Sequence, residues 1–373
     1  MGERIKIRQE LDLGRGSGGV AKRSALRGYL LEEALAWLLR HSGYRLLVDA
    51  SQDRTELTGS GGTLRVRGRG AVHQVDVLGE FAFTPAFSLP VRLFLEAKHY
   101  REPCRLEVVR NAHGVLHDVN ENFMDYGGTR PRRRFQYTYA LFSANGFTPE
   151  AQRYALAHQI SLVDLSGESF TWLRNAIKTT AAELYKAQGD HAVERFPVAW
   201  MRKQLREALG TCPPGVPLSG DTNAVQFRAS ASVFLANFVD ALEQHASAEL
   251  LMGFPAAPFI LPLVAEDQES FLSYVEQSPD HAVRLRRFGQ AATAEWELFP
   301  RVDEEAYRLA FKLPEHIEEW ISGVAEKERQ RTMDVKAQFL SSITIYRMNG
   351  SGVRAYQLHY EPSELRQISG GSH

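Results

Sequence analysis

Between Val91 and Gln188 the hydrophobic period switches back and forth, and this order limits the fold more than any other feature of the chain. "PVRLFLEAKH" alternates at period two, as a strand does. "LEVVRNAHGVLHDVNENFMDYG" follows with helical spacing, then "FQYTYALFSAN" as a strand, "TPEAQRYALAHQ" as a helix, "ISLVDLS" as a strand and "ESFTWLRNAIKTTAAELYKAQ" as a helix. Strands alternating with helices require crossovers, which place helices on both faces of a sheet. Ahead of this block, "SALRGYLLEEALAWLLRHSGY" reads as a helix stopped by Gly43. "YRLLVDA" reads as a strand, "SQDRTELTGSGG" as a loop, and "TLRVRGRG" with "HQVDVLGEFAF" as a hairpin. The expected fold class is α/β: an α/β/α sandwich around a central mixed sheet, over residues 24–190.

Residues 1–23, with "GRGSGGVAKRS", read as a flexible, basic, glycine-rich start. A boundary is expected near "AQGDHAVERFP". Beyond it, residues 196–369 mix helical runs ("VAWMRKQLREALG", "ASVFLANFVDALEQH", "EEAYRLAFKLPEHIEEWI") with strand-like ones ("FILPLVA", "TAEWELFPR", "QFLSSITIYRM", "RAYQLHY"). They are expected to form a C-terminal α+β domain for recognition, assembly or sensing. A length of 373 residues suits two domains. A net charge of −1 excludes general electrostatic attraction to nucleic acid, so any such binding must come from local clusters. Cys104 and Cys212 are the two cysteines, too few for a disulfide framework, and no apolar run reaches the ~18 residues of a membrane span. A cytoplasmic location is expected. No Gly-Lys-Ser/Thr follows the early glycines in register, so ATP is not an expected ligand.

Within "FLEAKHY", Glu96 and Lys98 project from one face of the strand and Ala97 from the other. Apolar neighbours on both faces mark a buried central strand, where a charged pair is costly unless it has a role. Upstream, Asp76 lies between Val75 and Val77, and an adjacent strand would bring it beside Glu96. Asp76 and Glu96 are hard oxygen ligands suited to Mg²⁺ (or Mn²⁺), with the carbonyl of Ala97 as a third oxygen. Lys98 could orient or deprotonate a water, or stabilise charge on a phosphate. Glu32, on the first helix, could hold the metal's outer water shell or a second ion. Glu33 is expected on a solvated helix face. His113 and His117 share a helix face but lack a further ligand at convincing spacing, so surface or structural roles are expected. Arg130, Arg132, Arg133 and Arg134, in "RPRRR", form the densest basic run and are candidates for phosphate contact.

The pattern D…E-x-K on paired strands, after a helix bearing a glutamate, resembles the PD-(D/E)xK nuclease superfamily. More narrowly, residues 24–185 resemble the Mrr-type restriction endonuclease catalytic domain. "LLEEALAWLLRHSGY" matches its opening helix at Glu32, "QVDVL" its aspartate at Asp76, and Glu96 with Lys98 its E-x-K. "ALFSANGFTPEAQRYALAHQISLVDLSG" matches its later strand–helix–strand segment. Two departures stand out: Gln74 and Val75 precede Asp76 where the superfamily's proline would be, and "FTPAFSLP" looks inserted before Glu96. The resemblance implies a restriction-endonuclease-like fold and Mg²⁺-dependent hydrolysis of DNA phosphodiesters, with a role in defence. It also implies a homodimer or larger assembly and leaves room for a protein partner at the C-terminal domain. Two alternatives stand beside it: a nuclease-like fold that binds nucleic acid or scaffolds a complex without cleaving, its site blocked by the insertion, and a nuclease for RNA or for structured or damaged DNA.

Overall fold

The computed structural model describes residues 21–60, 63–84, 87–122, 134–212, 225–244, 250–255, 260–288, 295–313, 340–349 and 352–360. Helix α1 (Arg23–His41) leads into β1 (Tyr44–Leu47) through Gly43, whose φ of +85° is open to glycine at no steric cost. β2 (Leu57–Ser60), β3 (Thr63–Arg67) and β4 (Val72–Val75) form a small antiparallel sheet. β5 (Val77–Phe81) and β6 (Val91–Lys98) follow, then α2 (Leu106–Asn120), β7 (Gln136–Ser143), α3 (Pro149–Ala157), β8 (Ser161–Asp164) and α4 (Thr171–Asp190). Thr148 caps α3, accepting from the Ala151 N–H, with Pro149 in the first turn.

The central sheet has the order β1-β5-β6-β7-β8. The β1–β5 and β5–β6 pairs are antiparallel, and β6–β7 and β7–β8 are parallel. β6 is therefore its middle strand. Leu93, Leu95, Ala97, Ala140, Phe142 and Val163 face α1 and α4. Phe94, Tyr139, Leu141 and Leu162 face α2 and α3 on the opposite side. The sheet is thus layered between helices, as the alternating periods require, and the molecule is mixed α/β. Gly79 lets α1 approach closely, because a Cβ there would lie 2.8 Å from Leu39.

Two expected strand assignments change. "ELTGS" contributes β2 rather than a plain loop, because Leu57 is buried against β3. "HQVDVLGEF" is not one strand: β4 ends at Val75, β5 begins at Val77, and the two lie in different sheets.

The core does not break near residue 196. Helices α5 (Val198–Ala208) and α6 (Val225–Gln244) bury Trp200, Met201, Leu205, Phe227, Leu235 and Phe238 in the same cluster as Leu30 and Leu35 of α1. The linker-like composition after Ala187 favours a boundary, but the apolar faces of these helices have their partner in α1 and α4. A second core begins with β9 (Leu250–Pro255). Together with β10 (Leu261–Ala265), β11 (Asp280–Phe288), β12 (Glu295–Pro300), β13 (Leu309–Phe311), β14 (Ile343–Asn349) and β15 (Gly352–Tyr360) it closes into a barrel. Helix α7 (Gln268–Gln277) adds Phe271 and Val275 to the barrel's core. The run "EEAYRLAFKL", expected to be helical, instead supplies β13, because Leu309 and Phe311 alternate into that core. Closure leaves the barrel no open edge.

The barrel is fastened to the α/β/α layers by polar contacts at one sheet edge. Glu295 accepts from the backbone N–H of Ser169 at 3.2 Å and from its hydroxyl at 2.5 Å. Lys312 donates to the Ser166 hydroxyl at 2.8 Å and lies 3.4 Å from Asp164. At another point Phe81 meets Tyr346 edge to face, with ring centroids 4.9 Å apart. No helix among the described residues is long and apolar enough to cross a membrane.

If α6 belongs to the first core, Phe227→Ala should cost about 3–5 kcal/mol of stability. Hydrogen exchange should show lost protection in α1 and α4. Protection unchanged in both helices would separate α6 from that core.

Candidate functional site

The site forms where the chain leaves one sheet for another. The last β5–β6 pair at this end is Val77 with Leu95, so β6 runs on past its antiparallel neighbour through Glu96, Ala97 and Lys98. Asp76 sits at the bend between β4 and β5, and its Oδ2 accepts from the Ala97 N–H at 3.0 Å. The N–H and C=O of one strand residue point the same way. The carbonyl of Ala97 is therefore directed toward the Asp76 side of β6. Asp76, Glu96, Ala97 and Lys98 are thus brought together, as the D…E-x-K pattern leads one to expect, although Asp76 holds a bend and not a mid-strand position.

Glu96 and Lys98 share the face covered by α2 and α3. Lys98 forms an ion pair with Glu96 Oε1, and the Tyr139 hydroxyl donates to Glu96 Oε2 at 2.6 Å. Tyr139 is itself held by a stacked contact with Phe94, centroids 4.9 Å apart. Both charged side chains are largely buried, 17% exposed for Glu96 and 12% for Lys98. Burial alone would lower the Lys98 pKa, but the charge of Glu96, then Tyr100 and Asp76, outweighs it and holds Lys98 well above the ordinary lysine range. Lys98 is consequently an ammonium at neutral pH. It can donate hydrogen bonds and stabilise negative charge, whereas the expected option of water deprotonation would require a lowered pKa. Burial, followed by the charge of Glu96, pushes the Tyr139 phenol far up, so it remains a donor.

Register places Lys98, Ser143 and Asp164 in one row across β6, β7 and β8, all at the C-terminal ends of parallel strands. Cys104 lies beneath the row and its thiol donates to Ser143 at 3.4 Å. In open α/β sheets that end is the usual place for a ligand crevice.

Glu32 is buried between α1 and α5, where Arg202 reaches it, while the same guanidinium donates to Glu33 at 2.7 Å. Glu33, expected on a solvated face, is 1% exposed and is also held by Arg206, through Nε at 3.0 Å. Burial would raise the Glu33 pKa, but Arg206 and Arg202 together bring it below the ordinary carboxylate value. Arg202 is raised above the ordinary arginine range, by Glu32 and Glu33 against the opposing effect of burial, and Asp76 contributes to the same field.

The remaining candidates are dispersed. Arg130, Arg132 and Arg133 lie outside the described residues, and Arg134 is exposed at the start of the segment leading into β7. His113 stacks on His158 and meets the Tyr154 hydroxyl, while His117 faces Glu121. The "FTPAFSLP" segment joins β5 to β6 at the end opposite Lys98. Seven residues of strand, about 23 Å, separate the two, so the described part of the insertion does not block the site.

The donor set has a definite chemical character. Among the described residues no group of three or more His, Cys, Asp or Glu side chains is placed to hold a metal ion. Two carboxylates with a backbone carbonyl suit Mg²⁺, which keeps several waters, and not a metal that demands a full protein cage. The sequence pattern does not single out Tyr139 or Arg202. "FQYTYALF" does put Tyr137 and Tyr139 on one strand face, and Arg202 and Arg206 lie one helical turn apart, but neither pattern names its partner.

No family model matches the chain, and no curated protein matches it in sequence. One solved structure, titled as that of a protein of unknown function, AF1548, is similar at 15% identity and a TM-score of 0.29. The alignment covers 58% of this chain and 98% of that one.

Lys98 gains its raised pKa on folding, so its contribution to stability is complete below the unfolded pKa of about 10.4 and is lost as pH rises through the higher folded value. The stability gap between wild type and Lys98→Met should stay constant from pH 7 to about 10 and shrink above that, as read by urea unfolding. A gap that changes between pH 7 and 9 would refute the ammonium assignment.

Proposed function

We propose that this chain is a divalent-metal-dependent endonuclease with a restriction-endonuclease-like fold, related to the Mrr type of the PD-(D/E)xK superfamily, hydrolysing DNA phosphodiesters in a defence role. The observation that carries this reading is the hydrogen bond from the Ala97 N–H to Asp76, which joins two carboxylates and a lysine at the end of one central strand. Asp76 and Glu96, with the Ala97 carbonyl, would hold Mg²⁺ or Mn²⁺. When bound, the ion would supply Lewis acidity toward a phosphoryl oxygen and an attacking water.

The chain's own residues would do the rest. The Ala97 N–H fixes the rotamer of Asp76, and Tyr139 fixes that of Glu96. Lys98, held as an ammonium, would donate to the phosphate as negative charge grows on it. Preorganised donors of this kind are worth roughly 10²–10³ in rate. Exposed Arg134, ahead of β7 at the end of the sheet opposite Lys98, with Arg130, Arg132 and Arg133 in the adjoining basic run, would meet the backbone of the nucleic acid away from the scissile phosphate. The barrel would choose the target or a protein partner, and a homodimer would allow both strands to be cut.

A second reading is favoured by one observation: both oxygens of Glu96 already have protein partners, Lys98 and Tyr139. A protein that binds nucleic acid without cutting would be compatible with such a locked carboxylate.

Incubation of the full chain with plasmid, linear and single-stranded DNA and with RNA, in Mg²⁺ or Mn²⁺, separates the readings. Wild type should nick or linearise plasmid, with Asp76→Ala and Lys98→Ala reduced at least ~10²-fold. Binding without metal-dependent cutting would favour the second reading, and preference for RNA would move the substrate.

A further inference from the structure

The β2-β3-β4 sheet has one face in the core and one face outside it. Leu57, Leu64, Val66 and Val75 join the core cluster that holds Phe94 and Tyr139. Alternation turns Arg65 and Arg67 of β3 the other way, opposite Gln74 and Val72 of β4. Arg65, Gln74 and Val72 are exposed and Arg67 is half-buried. Neither arginine has an ion-pair or side-chain hydrogen-bond partner among the described residues, whereas Arg69, just beyond β3, has Glu121 at 2.6 Å. The three strands contain no Asp or Glu, so their outward positions carry positive charge without local compensation.

The sheet is held in place at both ends. Asp118 of α2 accepts from the N–H groups of Gly70 and Ala71, at 2.7 and 3.1 Å, and contacts the His73 ring at 2.6 Å. At the other end β4 runs directly into Asp76. Arg65 pairs with the residue two positions before Asp76, and Arg67 with the residue four positions before it. The two arginines are about 6.6 Å apart along β3, roughly the axial rise of two nucleotides of one DNA strand. Asn122 donates to the Arg67 carbonyl at 2.8 Å, and Asn120 is bonded to the backbone of Tyr137 at the start of β7. The row therefore leads from the Asp76 end of the layered unit toward the end where Arg134 stands.

We propose that the outward face of the β2-β3-β4 sheet binds the sugar-phosphate backbone of the nucleic acid, with Arg65 and Arg67 contacting phosphates that flank the one held at Asp76, Glu96 and Lys98. This rests on the nuclease reading and gives its substrate a path, from the site toward the basic run ahead of β7. Arginine on a fixed strand suits the task, because its planar fork meets a phosphate through two parallel donors.

The test is equilibrium binding of a fluorescein-labelled DNA duplex to the full-length protein over a salt series, with Ca²⁺ in place of Mg²⁺, beside plasmid cleavage in Mg²⁺. Arg65→Gln and Arg67→Gln should each weaken binding about tenfold and reduce the slope of log affinity against log salt by about 1. Arg65→Lys, which keeps the charge, should keep the slope. Gln74→Glu, which places a carboxylate opposite Arg65 and leaves the arginine in place, should weaken binding about as much as Arg65→Gln does. Lys178→Gln removes an equal charge from the exposed side of α4, on the other face of the central sheet, and should leave affinity within about twofold and the slope unchanged. Melting temperature verifies that each variant is folded. The inference is overturned if folded Arg65→Gln and Arg67→Gln keep the wild-type slope, if Lys178→Gln lowers it equally, or if the wild type binds no duplex. Unchanged slopes in a protein that cleaves plasmid leave the nuclease reading standing with the backbone held elsewhere. Slopes reduced as expected in a protein that does not cut uphold this surface and refute hydrolysis.

Discussion

Past the Leu95–Val77 pair, the edge of β6 that had faced β5 carries backbone groups with no ladder to join. The side chain of Asp76 takes the first of them, the Ala97 N–H. A buried donor left without a partner would cost roughly 1–3 kcal/mol, so this bond stabilises the fork itself. It also dictates where the site lies. The bend that moves the chain from the β2-β3-β4 sheet into the central sheet is the same bend that presents Asp76 to the end of the central strand. Structural and chemical requirements thus meet in one side chain.

The charges around the fork follow from this placement. Glu96 and Lys98 emerge from β6 on the α2/α3 side, and Glu32 and Glu33 emerge from α1 on the opposite side of the sheet. Asp76, at the junction, is held by the Ala97 N–H, and its charge adds to the field of Glu96 that keeps Lys98 protonated. In a largely buried environment each carboxylate requires a cation or a hydrogen-bond donor. Lys98 and Tyr139 serve Glu96, and the two arginines of α5 serve the glutamates of α1. The helix that a composition-based boundary assigns to a second domain is therefore committed to the first by both apolar and ionic contacts.

The barrel is a different kind of attachment. Its own core is separate, and its contacts with the layered unit include Glu295 to Ser169 and Lys312 to Asp164 and Ser166. Asp164 belongs to the row that also holds Ser143 and Lys98. The barrel consequently meets the sheet at the end that carries the candidate chemistry, two strands away from Lys98. A ligand at that end would lie close to both units.

Local periodicity determined most of the layered unit. The alternation of Val91, Leu93 and Leu95 and the helical spacing in α1 to α4 are nearest-neighbour properties that hold wherever those segments pack. The same alternation put Glu96 and Lys98 on one face and Ala97 on the other. The tertiary structure alone decided which groups became partners. Nothing local to "HQVDVLGEF" marks Asp76 as the residue at which pairing changes sheets, since valines flank it on both sides. Nothing in "WMRKQLREA" shows that Arg202 and Arg206 are spoken for by Glu32 and Glu33, far away along the chain. The strand of "RLAF" and the closed barrel around it likewise depend on pairings distant in sequence. Period and propensity act over a few residues, whereas ion pairs, register and core membership are set by which surfaces exclude water together.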